Sequence, residues 1–332
     1  MIYDTYSNLE LNLKMLIDLW LLSDGHYKNI TQNKSINGLD ASRLVIDSSA
    51  ANDYGGVSGC QVWQSPFQNW VYESGISLNQ SPYISGMTLP IIASGIYVNN
   101  TFFTQASGVS GMQFFVDYTN GRIVFAGTGI PSNSIVQSNF AYKFWRTDWE
   151  DNSHAQLDVE DYGELAFKDN PYGVAEIYPS GDERSHTFPC IYINVLQNGS
   201  FRPLEVGNRS QIEEVTVELG IYAISRVQRN SAIELLKNHI GLQAYMIDFN
   251  YAPLPLSGLV NTLSPAYIPY QTMVQNPVYN GNNLISWTYD INNGEARRLI
   301  PDGPFLRGEV VYHIDIYNIA PTGRVPNNPY LG

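Results

Sequence analysis

The alternation of apolar and polar positions is clearest in residues 188–249, and the predicted fold is built around this segment. Residues 213–225 alternate apolar with polar side chains, which is typical of a β-strand with one buried face and one solvated face. Residues 189–195 are rich in β-branched and aromatic side chains and predict another strand, which the turn-forming residues 197–200 end. Residues 244–249 predict a short strand that returns to the same sheet.

The first helix is predicted for residues 7–22. Ser7 and Glu10 have the spacing of a capping box, in which the two side chains satisfy free N–H groups at a helix start. Apolar residues then recur at helical spacing, which predicts one buried stripe. The stripe consists of Leu9, Leu13, Leu16 or Ile17, and Trp20.

A second helix is predicted between the strands of the central segment, over residues 231–240. Asn230 or Ser231 is the expected N-cap, and Ser231 with Glu234 repeats the capping-box spacing. Gly241 is suited to end this helix in a left-handed conformation. One amphipathic helix lying on a sheet is therefore expected.

Residues 76–142 predict β-structure throughout. Asn99 and Asn100 separate two short apolar runs, and Asn120-Gly121 separates two more, which is the strongest short signal for a hairpin. Residues 134–142 predict a further strand. Short strands at this spacing indicate a small sandwich or barrel.

The C-terminal part combines two predicted strands with two irregular segments. Residues 284–291 and 308–319 are the strands. Residues 250–283 contain five prolines and several tyrosines, and a loop of this length is usually functional or an interaction arm. Residues 320–332 are rich in Pro and Asn and predict an extended tail.

The chain has 332 residues, which indicates two domains or one core with a large insertion. We interpret residues 1–25 as an N-terminal helix of an α+β core, and residues 26–148 as an inserted all-β module. Residues 149–319 then form the rest of the core, and residues 320–332 form the tail. The acidic residues at 148–164 are interpreted as a hinge.

The net charge of −13 argues against sequence-specific binding of nucleic acid, which would require a basic stripe. The 18 Lys and Arg residues are scattered, and the nearest approaches to a basic patch are Arg226 with Arg229 and the pair Arg297-Arg298. An acidic surface repels DNA, which is useful only where DNA must slide past without adhering.

The two cysteines, Cys60 and Cys190, lie far apart and are interpreted as free thiols. No signal peptide is recognised, because Asp4 and Glu10 precede any basic residue. The apolar run at residues 15–22 is too short to span a bilayer. Synthesis in a cytosol is therefore expected.

No catalytic or cofactor-binding constellation is recognised. The five histidines have no metal-ligand spacing, and neither a phosphate-binding loop nor a nucleophile elbow is present. The acidic residues 148–164 could hold a cation, although they do not match an EF-hand loop and a solvated hinge is the simpler interpretation. Trp63 and Trp70 could stack on sugars, but such residues in a β-module more often belong to the core.

The central segment resembles the tail-terminator or tail-completion proteins of tailed bacteriophages. The resemblance is carried by residues 188–193, 213–225 and 231–240, and the helix at residues 7–22 fits the N-terminal helix of that family. The β-rich part is similar to marine-phage virion structural proteins over residues 69–75, 95–102 and 116–125. A simple terminator has no β-module between helix and core, so this chain departs from the family in size.

The resemblance implies a structural virion protein without catalysis. Its fold would be a tail-terminator-like mixed sheet with one or two packed helices, carrying the inserted sandwich or barrel. It would form a homo-oligomeric ring, expected to be a hexamer, at the head–tail junction as a tail terminator or neck connector. Its partners would be the connector, tail tube and sheath, and genomic DNA would pass through the lumen. It would be made in the host cytoplasm and reside in the virion, with no cofactor and no membrane contact.

The residues expected at subunit interfaces are aromatic, proline or basic residues of the arms and of the second helix. They are Tyr251, Tyr267, Tyr270, Tyr279, Arg226, Arg229, Pro326 and Tyr330. Two alternatives remain open: a receptor- or carbohydrate-binding module of a phage tail or fibre, and a polysaccharide hydrolase. The hydrolase would need two carboxylates that converge in a cleft.

Overall fold

The computed structural model describes residues 5–48, 60–73, 76, 89–104, 114–125, 130–143, 145–149, 165–169, 175–179, 186–187, 189–203, 211–247, 278–279, 282–283, 285–299 and 306–318. Within these residues the fold is α+β and mostly β, as predicted. Two α-helices accompany strands that are grouped into several sheets.

Helix α1 (Thr5–Ser23) is buried on all sides. The predicted stripe is buried, but the residues between its members are buried too, among them Leu11, Met15 and Leu21. Gly25 ends the helix with φ of 82°. Its N–H donates to the carbonyl of Leu22 at 3.0 Å, and the N–H of His26 reaches Leu21 at 2.8 Å, which is a Schellman motif. The helix begins at Thr5, so the predicted cap at Ser7 is wrong.

The β-module consists of short antiparallel strands. They are β1 (Tyr27–Ile30), β2 (Ser35–Ile36), β3 (Leu39–Asp40), β4 (Arg43–Ile46), β5 (Gln61–Gln64), β6 (Gly95–Val98), β7 (Thr101–Thr104), β8 (Phe114–Asp117), β9 (Arg122–Phe125), β10 (Val136–Ser138) and β11 (Phe140–Lys143). Seven form a sheet in the order β7-β6-β10-β4-β5-β9-β8, while β1 pairs with β11 and β2 with β3. Strand β4 changes partner along its length, from β10 to β5, which joins the two halves of the sheet.

The core of the β-module is aromatic. Trp70 stacks on Phe140 with 4.1 Å between ring centroids, and its indole N–H donates to the carbonyl of Phe67 at 3.0 Å. Trp63 and Trp70 are both buried, which confirms their interpretation as core residues. The remaining core residues come from both halves of the sheet and include Leu44, Ile96, Phe114, Ile123, Phe125 and Val136.

Both predicted hairpins are present. Asn99 and Asn100 have φ of 48° and 68°, the left-handed values that the tight turn between β6 and β7 requires. Gly121 has φ of 64° in the turn between β8 and β9. The strand predicted for residues 134–142 is divided at Asn139, because β10 and β11 pair with different strands.

Six strands form the main sheet. They are β12 (Arg146–Trp149), β16 (Cys190–Pro203), β17 (Gln211–Ala223), β18 (Gln243–Ile247), β21 (Ile285–Arg298) and β22 (Leu306–Asn318), in the order β12-β16-β17-β22-β21-β18. Four of them, β16, β17, β21 and β22, are 13 or 14 residues long. All neighbours are antiparallel except β12 and β16. Three further strands form a separate sheet: β13 (Leu165–Asp169), β14 (Ala175–Pro179) and β15 (His186–Thr187). Strands β19 (Val278–Tyr279) and β20 (Asn282–Asn283) pair with each other.

The predicted alternation in the central strand is confirmed. Val215, Val217 and Leu219 are buried on the face of the main sheet that packs against the helices, while Glu214 is exposed on the other face. Strand β16 does not end at the turn predicted for residues 197–200. The pairing with β17 is interrupted at this place, with a register shift between Leu196 and Ser200.

Helix α2 (Arg226–Lys237) begins five residues before the predicted start. Ser225 is the N-cap, and its hydroxyl accepts from the N–H of Gln228 at 3.2 Å. The side chain of Gln228 in turn accepts from the N–H of Ile224 at 3.2 Å. The helix is therefore capped at Ser225 and not at Asn230 or Ser231, and the Gln228 side chain satisfies the N–H of Ile224, one residue before the cap. Gly241 is left-handed as predicted, with φ of 89°, although the helix has already ended.

A buried ion pair connects α1 to β11, the last strand of the β-module, and a further hydrogen bond connects it to β12 of the main sheet. The Asp18 side chain is fully buried and accepts from the Lys143 ammonium at 2.5 Å. The hydroxyl of Thr147 in β12 donates to the other oxygen of the same carboxylate. Asp18 therefore links α1 to the β-module and to the main sheet.

A second buried polar residue of α1, Asn12, closes the edge of the main sheet. Its side chain accepts from the N–H of Ile247 at 2.8 Å and donates to the carbonyl of Ile247 at 2.9 Å. Ile247 is the last residue of the edge strand β18. The amide of Asn12 thus makes the two bonds that a further strand would make.

Cys60 is half-buried and Cys190 is buried, and both are free thiols as predicted. Among the helices that the described residues form, none is long and apolar enough to cross a membrane.

Candidate interaction surface

Two of the eight predicted interface residues have described side chains. Arg226 and Arg229 lie in the first turns of α2, and Tyr279 is described only as part of strand β19. The other five lie outside the described residues: Tyr251, Tyr267, Tyr270, Pro326 and Tyr330. The two arginines lie together at the start of α2, and they are the residues of the predicted set whose side chains the structure describes.

The first turn of α2 carries an unusually exposed apolar side chain. Val227 is 75% exposed, and the neighbouring Arg226 is exposed as well. The opposite side of the helix is buried against the main sheet through residues such as Ile233 and Leu236. A valine in this position contributes nothing to the core, although single exposed apolar residues are common on protein surfaces.

The Arg229 side chain is half-buried and packs against the main sheet. Its guanidinium contacts the Asn230 side-chain oxygen at 3.3 Å and 3.4 Å, and its stem lies over Gly308 of β22. A Cβ atom at position 308 would lie 3.0 Å from Ile233 and 3.3 Å from Arg229. The glycine therefore lets α2 lie close to the sheet, and Arg226 is the more accessible of the two arginines.

The face of the main sheet opposite the helices is acidic. In the strand register, Asp315 lies directly between Glu214 on one side and Asp290 on the other. Further carboxylates on this face are Glu218, Glu295 and Glu309. Like charges that face each other across strands repel, so this arrangement costs stability. Asp315 itself is buried, and Glu214 and Glu295 are the exposed carboxylates of this face.

Two arginines moderate this acidic face. Arg297 contacts Glu295 at 2.9 Å and Glu309 at 3.7 Å, and Arg307 lies over the Tyr222 ring at 5.2 Å from its centroid. His313 is exposed in the same face. Partial burial raises the pKa of Glu218, and the neighbouring Glu309 raises it further. The cations are too few to neutralise the six carboxylates.

Two histidines near the C-terminal end of α1 pack as aromatic rings. His239 stacks on Trp20 with 3.8 Å between centroids, and its Nδ1 lies 2.7 Å from the carbonyl oxygen of Leu235. His26 stacks on Trp145 at 4.5 Å. Burial lowers the pKa of both imidazoles, while the nearby Asp24 acts in the opposite direction on both.

Stability is expected to fall as pH drops below about 6.5, the pKa of histidine in an unfolded chain. Because the folded pKa of each imidazole lies below that value, the unfolded state binds protons first. The stabilisation is therefore complete above pH 6.5 and is lost as pH falls through the lowered folded pKa. We expect the Tm of the His26→Gln/His239→Gln variant to depend less on pH between 8 and 5.5 than that of the parent.

The exposed His313 is the matched control, since His313→Gln removes a histidine that is not stacked on tryptophan. Differential scanning fluorimetry at constant ionic strength measures the Tm of all three proteins. An equal pH dependence of Tm in the parent and the double variant would contradict the assignment of the pH effect to His26 and His239.

No metal centre is formed within the described part of the chain, where no three His, Cys, Asp or Glu side chains lie close enough to hold an ion. The cation considered for residues 148–164 falls outside this part, apart from the backbone of β12. His154 is likewise not described, and His186 is described only as a strand residue.

The β-module presents its own surface features, which the sequence analysis missed. Phe102 in β7 is 44% exposed. A groove of about 560 Å³ lies beside β4 and β5. Its lining combines apolar and polar residues: Arg43, Val45, Ile46, Asp47, Ser48, Gln64, Ser65 and Pro66. The exposure of Phe102 was not predictable from the sequence, because its place in the apolar pattern of the strand is the same as that of a core residue.

The comparisons with known proteins add no relative to this description. The chain matches no protein-family model, no curated protein and no solved structure.

Proposed function

We propose that this chain is a structural protein of a tailed-bacteriophage virion that forms a ring at the head–tail junction and catalyses no reaction. The observation that supports this proposal best is the two-sided main sheet. Helices α1 and α2 pack on one face, and six carboxylates lie on the other. In this proposal the main sheet and its two helices are a tail-terminator-like core, and the ring is a tail terminator or neck connector.

The acidic face is the proposed wall of a channel for DNA. Phosphates and carboxylates repel each other, so a wall of this kind lets DNA pass without adhering. The net charge of −13 also repels DNA phosphates. The neighbouring ring proteins would be the connector, tail tube and sheath.

The contact between copies is proposed to include the first turn of α2. Val227 supplies an apolar contact, and Arg226 supplies a positive charge that suits an acidic partner surface. A heterologous contact of this kind closes into a ring when the rotation between neighbouring copies allows it.

We expect the purified full chain to form a closed oligomer, measured by multi-angle light scattering and seen as rings by negative-stain electron microscopy. Val227→Asp should shift the protein towards the monomer, because it places a charge in the apolar contact. Val45→Asp is the matched control, since Val45 is 62% exposed but lies in the β-module.

The Tm of both variants should stay within a few degrees of the parent, because neither valine is buried. A monodisperse monomer of the parent chain would contradict self-assembly. Rings that Val227→Asp leaves intact would contradict the assigned contact but not the ring.

A further inference from the structure

A preformed network of amide side chains lies on the outer face of the β-module. Its centre is Gln137, which is only 2% exposed. The Gln137 NH₂ group donates to the Asn33 side-chain oxygen at 2.8 Å and to Asp40 at 2.5 Å. Its oxygen accepts from the Gln32 NH₂ group at 3.2 Å, and Gln32 also donates to the Asn100 side-chain oxygen at 3.2 Å.

The single carboxylate of this network is already satisfied. Besides Gln137, Asp40 accepts from the N–H and the hydroxyl of Ser42, at 3.0 Å and 2.6 Å. The network therefore places no unpaired charge at the surface. In contrast, Asn33 and Asn100 are exposed, and their oxygens are used while their NH₂ groups have no partner among the described residues. Both residues are also held in left-handed backbone conformations, with φ of 59° and 68°.

An aromatic surface borders the network. Phe102, Tyr97 and Gln137 lie side by side on adjacent strands in the sheet register. The Phe102 ring packs against Tyr97 with 4.9 Å between centroids. It lies over Gly95, where a Cβ atom would come within 2.5 Å of the ring, so the glycine makes room for the ring on the sheet. The Tyr97 hydroxyl in turn accepts from Asn139 at 3.4 Å.

The groove beside β4 continues this surface. Arg43, which lines the groove, lies directly opposite Gln137 in the pairing of β4 with β10. The aromatic ring, the amide network and the groove therefore lie in one row across four strands. A volume of about 560 Å³ is within the range of small-molecule sites.

We propose that this row is a binding site for a neutral oligosaccharide. Sugar hydroxyls both donate and accept, and the exposed NH₂ groups with the Gln32 oxygen offer matching partners. The C–H face of a pyranose ring can pack on Phe102, whose ring face carries negative charge density. Because the network already holds the amides in place, binding immobilises few additional rotamers. This site lies in the β-module and does not depend on ring formation.

Isothermal titration calorimetry of the full chain tests the proposal with maltohexaose, cellohexaose, mannohexaose and hexa-N-acetylchitohexaose as probes. We expect at least one of them to bind. Phe102→Ala and Gln32→Ala should each weaken that binding about tenfold or more, since each removes one component of the site. Leu89→Ala is the matched control, because Leu89 is 53% exposed and lies outside the row.

Circular dichroism and Tm establish that the variants are folded. Two independent variants keep the test decisive if one of them fails to fold. The proposal is overturned if none of the four probes binds at millimolar concentration. It is also overturned if Phe102→Ala and Gln32→Ala both leave the affinity unchanged. Heparin serves as an anionic probe, and binding of heparin alone, abolished by Arg43→Ala, would replace the proposed site by an anion site.

Discussion

Asp18→Ala is expected to destabilise the protein by about 3–5 kcal/mol, because it leaves the Lys143 ammonium buried without its carboxylate. The Asp18 side chain is fully buried and that of Lys143 is 10% exposed. The same substitution removes the acceptor of the Thr147 hydroxyl. Asp18, Lys143 and Thr147 belong to α1, the β-module and the main sheet, respectively. Loss of the contacts among them should therefore lower the free energy of unfolding of all three parts.

Urea unfolding followed by tryptophan fluorescence measures this change. Glu234→Ala is the control, because Glu234 forms an exposed pair with Lys237 at 3.4 Å that should contribute less than about 1 kcal/mol. The double variant Asp18→Ala/Lys143→Met should recover part of the loss, since no buried charge then remains unpaired. A loss below about 1 kcal/mol for Asp18→Ala would show that Lys143 finds water or another partner.

The strands were predictable where one face of the strand is buried and the other is exposed to solvent. Residues 213–225 show this alternation directly, and β17 (Gln211–Ala223) follows it within two residues at each end. The hairpins at Asn99-Asn100 and Gly121 were predictable for a local reason, because the turns require left-handed residues. Turn chemistry is ambiguous when the flanking strand continues to pair, and β16 therefore carries a bulge where the sequence predicted a turn.

Helix starts were less predictable, since a capping-box spacing recurs by chance. Both Ser225 with Gln228 and Ser231 with Glu234 have it, and the helix begins after the first, where the Ser225 hydroxyl accepts from the Gln228 N–H. The environment of α1 was also not predictable from spacing. Asn12 and Asp18 look like members of a solvated face, but both are fully buried because partners from distant strands reach them.

The surface features were the least predictable, because they depend on a strand order that does not follow the chain. Gln32, Phe102 and Gln137 are brought together only by the order β7-β6-β10-β4. No short stretch of sequence contains more than a part of the amide network. The acidic face has the same origin, since Glu214, Asp290 and Asp315 come from three strands.

Asn12→Ala is expected to destabilise the protein by about 2–4 kcal/mol, because it leaves two buried backbone groups of Ile247 without partners. Asn12 and Ile247 are both fully buried, so water cannot replace the lost bonds without a rearrangement. Asn12 also donates to the carbonyl of Asn8 at 2.6 Å within α1. The effect should be local to the edge strand β18, and hydrogen exchange at the Ile247 amide should accelerate more than in the central strand β17.

Asn12→Leu separates the hydrogen bonds from the volume that the side chain fills. Leucine occupies a similar volume and favours a helix, yet it makes none of the three bonds, so we expect it to be destabilising as well. Asn230→Ala on the outer part of α2 controls for loss of an asparagine and should change the free energy of unfolding by less than about 0.5 kcal/mol. If Asn12→Leu were as stable as the parent, apolar packing would compensate for the bonds, and Asn12 would instead serve to keep other strands from pairing with the edge at Ile247.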